Sequence, residues 1–117
     1  MIALVSLISL MSLPSLQPQT IKADRAKAAF DRLKQLEGEW RGKSTKGWTE
    51  KVEYSVIAGG SVLMERSFGA HPNEWMATMI HLDRDRLLLT HYCIAKNQPR
   101  LVATDIEIGR ASCRERV

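Results

Sequence analysis

The chain has 117 residues, 17 Lys and Arg against 13 Asp and Glu, a formal charge of +4 and an apolar fraction of 44 %. That is the length of one domain, too apolar for a disordered chain and too short of apolar runs for a polytopic membrane protein. The charge is mild and dispersed, which gives no argument for a nucleic-acid partner.

Residues 1–20 carry no charge. Ile2-Ala3-Leu4-Val5, Leu7-Ile8 and Leu10-Met11 read as the apolar stretch of a signal peptide, diluted by Ser6, Ser9 and Ser12 and interrupted by Pro14. It is shorter than the ~20 residues of a membrane span. No basic residue precedes it and no clean small-x-small cleavage site follows it. The expectation is a secreted or periplasmic protein that meets a membrane only through an uncleaved leader. An apolar arm packed on the domain is the alternative.

Residues 17–23 read as a polar linker. Asp24 to Leu36 reads as a short amphipathic helix with Ala26, Ala29, Phe30, Leu33 and Leu36 on one face. Gly38 is placed to end it. From Glu39 the period changes to two. Strands are expected over Glu39 to Lys43, Trp48 to Ala58, Ser61 to Phe68, Glu74 to Leu82, Arg86 to Ile94 and Arg100 to Ile106. Gly59-Gly60 is a hairpin signal and Asp83-Arg84-Asp85 a tight turn. Connections this short make an antiparallel meander and exclude a parallel sheet. A six-stranded meander keeps two open edges, and an up-and-down barrel takes about eight strands or more. The fold class is therefore mainly β, an antiparallel meander after a short helix, with the form of an incomplete barrel over residues 21–106.

Glu107 to Val117 resembles the translation of a common short-read sequencing adapter, whose codons give these residues in order. On that reading residues 107–117 are an artefact to be set aside from the fold, and the gene is truncated near Ile106. Cys93 is then the sole cysteine and most simply a small buried apolar group; a genuine basic tail would restore Cys113 as a disulfide candidate.

Gly38-Glu39-Trp40, opening the first strand after a helix, resembles the Gly-x-Trp signature of lipocalins and other calycin barrels. That resemblance implies that Trp40 plugs the closed end of the barrel. A second stretch is similar to a group of uncharacterised small secreted bacterial lipocalin-like proteins: His81-Leu82-Asp83, Thr90-His91-Tyr92-Cys93 and Asn97-Gln98-Pro99-Arg100. The likeness covers about residues 28–106. Arg84 departs from it, because the group favours Gly in that turn. It implies a fold and carries no activity.

Candidate chemistry is sparse. There is no nucleophile elbow, phosphate loop, zinc motif or dinucleotide fingerprint, so no catalytic residue, metal or cofactor is assigned. His91 and Cys93 share a strand face, but pairing about Arg84 sets His81 opposite Leu87, about 13 Å along the strand from His91. Satisfied histidines outweigh a metal site there, and a haem reading of His71 has nothing beside it. Asn97-Gln98-Pro99 is turn chemistry. Arg100 either braces that loop or meets an anionic ligand. The ligand candidates are His91, Tyr92, Arg100, Met64 and Met79, with a small apolar or amphipathic molecule inside the barrel. Two other functions stay open: an enzyme using His91, Tyr92 and Arg100 at the barrel mouth, and a filled barrel with a structural or interaction role. Both faces of the fourth and fifth strands are apolar, so the inward set is not fixed.

Overall fold

The computed structural model describes residues 18–69, 73–107 and 110–116, and side chains within 22–69 and 73–106. The stretch read as a signal peptide and His71 lie outside the described residues. Helix α1 (Pro18–Lys34) precedes strands β1 (Gly38–Lys43), β2 (Thr49–Ile57), β3 (Val62–Ser67), β4 (Met76–Asp83), β5 (Arg86–Tyr92), β6 (Arg100–Glu107) and β7 (Arg110–Arg116). The strands form one sheet in the order β1-β2-β3-β4-β5-β6-β7, each antiparallel to its neighbour. It is an open meander with β1 and β7 at its edges.

One expectation is corrected, and one strand adds to those expected. The helix begins at Pro18, so most of the expected linker is helical. Proline suits a first helical position, since its φ is preset and its missing N–H would have no partner there. The helix ends at Lys34 rather than Leu36; the N–H groups of Gln35, Leu36 and Glu37 bond back three residues, a tightened last turn. Gly38 then takes φ +129° and turns the chain into β1. The added strand, residues 110–116, pairs with β6, through a register shift at Ala103 and Asp105. Pairing uses backbone groups that any sequence carries, so this strand does not test the adapter reading of residues 107–117.

The helix spacing works as read. Ala26 and Phe30 are buried, Phe30 at 4 % exposure, and α1 packs on β4, β5 and β6. Phe30 forms one buried cluster with Leu63, Ile80 and Leu87, and Ala29, Leu33, Val56, Leu82, Leu89 and Ala103 pack around it. Burying Phe30 is worth about 1.5–3 kcal/mol. Register makes the cluster continuous, because Val56 faces Leu63, Leu63 faces Ile80 and Ile80 faces Leu89.

The opposite face carries an ion-pair network across β1 to β3. Glu39 and Glu53 stand directly across β1 and β2, a repulsive placement. Lys51 lies 3.2 Å from Glu39 and 2.7 Å from Glu53, while Arg41 and Arg66 flank them at 2.7 and 2.5 Å. Arg41 and then Lys51 hold Glu39 below the usual carboxylate range, and Lys51 does the same for Glu53. The network fixes register more than it adds stability, since exposed ion pairs contribute little.

Arg84 occupies the left-handed region at φ 56° in the two-residue loop between paired Asp83 and Arg86. A Cβ there is strained. Arg84→Gly is expected to raise stability by about 0.5–1 kcal/mol after the glycine's own entropic cost. A lower urea midpoint than wild type would show that the turn carries no such strain.

Candidate functional site

Strand alternation and register assign each candidate to a face. His91 shares the α1 side with Leu87 and Leu89. Tyr92 points the other way and is 47 % exposed. Met64 and Met79 face each other across β3 and β4, and Arg100 pairs with Thr90; all three belong with Tyr92 on the face away from α1. The sheet thus separates His91 from its four companions. Trp40 lies on the α1 side, opposite Val52. Its indole N–H donates to the Leu36 carbonyl at 2.6 Å, while the residue stays 51 % exposed.

His81 sits opposite Leu88 rather than Leu87. That one-residue difference places it on the face away from His91. Cys93 follows β5 and is a free thiol whose Sγ lies 3.9 Å from Met76 Sδ. Among the described residues no group of His, Cys, Asp or Glu could hold a metal ion. Asn97 serves the turn, its carbonyl accepting from the Cys93 N–H, and Pro99 accepts from the His91 N–H.

What surrounds His91 was not legible from the motifs. Tyr54 faces Glu65, Glu65 faces Thr78, and Thr78 faces His91, one polar row across β2 to β5 on the α1 side. The Tyr54 hydroxyl donates to Glu65 at 3.0 Å. Thr78 Oγ1 and His91 Nδ1 share a hydrogen bond of 2.9 Å, its donor set by the imidazole tautomer. Thr78 is 4 % exposed, the one buried polar residue among those described. A buried hydroxyl needs such a partner.

The row borders the apolar cluster. Beyond it comes a strip of Trp40, Val52, Ser67 and Met76, joined by the same register and outside that cluster. Apolar core, polar row and mixed strip succeed one another along one face. Glu65 and His91 stand two strands apart, about 9.6 Å, too far for direct proton transfer between them. The arrangement offers a carboxylate, a phenol and an imidazole as separate hydrogen-bonding points beside apolar surface.

Burial, then the charge and hydrogen bond of Glu65, push the Tyr54 hydroxyl up to about 12. A cleft of about 320 Å³ lies elsewhere, between α1 and β6, lined by Lys22, Arg25, Asp85, Ala103, Asp105 and Ile106 among others. No helix among the described residues is long and apolar enough to cross a membrane. Compared with protein-family models, curated proteins and solved structures, the chain gives no match.

The raised Tyr54 hydroxyl has a measurable consequence. Its ordinary value is 10.0; between there and about 12 the unfolded chain releases this proton while the folded chain keeps it. Stability from this group is therefore full below pH 10 and falls from about pH 10 to 12. In a phenolate absorbance titration one tyrosine should titrate near 12, and Tyr54→Phe should remove that step. A late step that survives in Tyr54→Phe would contradict the assignment.

Proposed function

We propose that the protein is a secreted or periplasmic lipocalin-like binding protein that holds a small apolar or amphipathic molecule against the α1 side of its sheet. The observation that supports this best is the succession on that face: an apolar cluster, then the Tyr54–Glu65–Thr78–His91 row, then Trp40, Val52 and Met76 outside the packed core. An amphipathic molecule has the same order of surfaces, an apolar body and a polar end, and small binding sites use mostly apolar walls with a few placed polar groups.

Motif positions are consistent with the reading. Gly38-Glu39-Trp40 opens β1 directly after the helix, with Trp40 turned to the α1 side. His91 lies at the end of β5 and joins the polar row. Tyr92 and Arg100 stand across the sheet from His91, which weighs against an enzyme built on those three. Met64 and Met79 are likewise outside the proposed site. The apolar leader remains the basis for secretion. The resemblance of Glu107 to Val117 to a translated adapter remains the basis for setting residues 107–117 aside, and the proposed site uses none of them.

Two aspartates test which face binds. Octanol titrated into the full chain and followed by tryptophan fluorescence should saturate. Met76→Asp, on the α1 side, is expected to weaken it at least tenfold. Met64→Asp, on the opposite face, should bind as wild type does. The reverse pattern, or no saturable binding by wild type, contradicts the proposal.

A further inference from the structure

The two faces of the sheet treat their carboxylates differently. Away from α1, Glu39 and Glu53 are each held by two cations from Arg41, Lys51 and Arg66. Toward α1 the acceptors' partners are neutral. Glu50 Oε1 accepts from the Ser67 hydroxyl at 2.6 Å and from the Gly69 N–H at 3.1 Å. At the adjoining edge, Glu37 accepts from the Val56 N–H at 3.0 Å. Each of these two carboxylates accepts a backbone N–H.

Glu65 is not. It is half-buried, it lies in the middle of the polar row, and the Tyr54 hydroxyl is its one hydrogen-bond donor among the described residues. No Lys or Arg among those residues pairs with it. A carboxylate withdrawn from water with spare acceptor capacity is a favourable place for a cation. The aromatic setting suits one as well: Tyr54 lies beside Glu65, and Trp40 is the diagonal neighbour of Tyr54 across β1 and β2, with half its surface open. His91 stands beyond Thr78, tied to it by the 2.9 Å bond, and leaves Glu65 without a cation of its own.

We infer that the ligand's polar end is a protonated amine, seated on the Glu65 carboxylate beside the Tyr54 phenol, with its apolar body along Val52, Met76 and the Trp40 ring. This rests on the reading that an amphipathic molecule binds the α1 side, and it names the class of that molecule. An anionic head group is disfavoured by the same geometry, because it would meet the Glu65 carboxylate directly.

Three probes with one chain length separate the head group from the body: octylamine, octanol and octanoate, titrated into the full-length protein by calorimetry at neutral pH. Octylamine is expected to bind at least tenfold more tightly than octanol, and octanoate more weakly than either. Glu65→Gln should abolish the amine's advantage, leaving octylamine and octanol with like affinities in the variant. Equal binding of all three probes, or an octanoate preference, overturns the amine inference while leaving the amphiphile reading standing. An amine preference that persists in Glu65→Gln also overturns it. If none binds, both readings fail. The wild-type ranking decides the matter even if Glu65→Gln does not fold.

Discussion

Phe30 enters a single buried cluster with Leu63, Ile80 and Leu87, and that contact decides which side of the sheet is the inside. β4 and β5 are apolar on both faces: Ile80, Leu87 and Leu89 on one, Met79 and Leu88 on the other. Alternation alone cannot choose between them, because shifting a strand by one residue exchanges its faces. Docking of the helix makes the choice. It buries the row through Val56, Leu63, Ile80 and Leu89, and everything in phase with that row follows it to the same side. His91, Thr78, Glu65, Tyr54 and Trp40 become neighbours of the core by this phase relation.

The consequence is a sheet with two chemical characters. The face away from α1 balances its charges internally, through the chain from Arg41 to Arg66. Among the described residues the α1 face leaves the half-buried Glu65 without a cation and the Trp40 indole half exposed. Neither feature stabilises a folded chain well. A half-buried carboxylate costs desolvation, and an exposed tryptophan ring forgoes burial. Such departures from the most stable arrangement are where binding sites are found. That is why the polar row, rather than the cleft between α1 and β6, carries the functional proposal.

Much of the fold is legible in short sequence stretches. Val52, Tyr54 and Val56 alternate against Glu53 and Ser55; Gly59 and Gly60 adopt φ values of 65° and 89° in the turn they were read to make. Both signals are local, as are the Ala26–Phe30–Leu33 spacing and the Asp83–Asp85 turn. The helix start is harder, because a proline inside a polar stretch reads equally as a linker. The site is harder still. His91 stands in a motif, but Glu65 and Thr78 acquire meaning only when four strands are aligned, and that alignment depends on three separate connections. His81 shows the sensitivity: opposite Leu87 it would share a face with His91 at about 13 Å along the strand, and the observed pairing with Leu88 sends it to the other face. Tyr92, next to His91 in the chain, is separated from it by the pleat itself.

The division of the sheet into two faces depends on the helix-to-sheet contact, so the most direct measurement is the unfolding free energy of Phe30→Ala in urea, read by tryptophan fluorescence. Truncating a buried phenylalanine at the centre of one cluster predicts a loss of about 3–5 kcal/mol, a large share of the stability of a domain this size. A loss below about 1 kcal/mol would mean that α1 does not cover this face, and the assignment of Tyr54, Glu65, Thr78 and His91 to the inner side would fall with it.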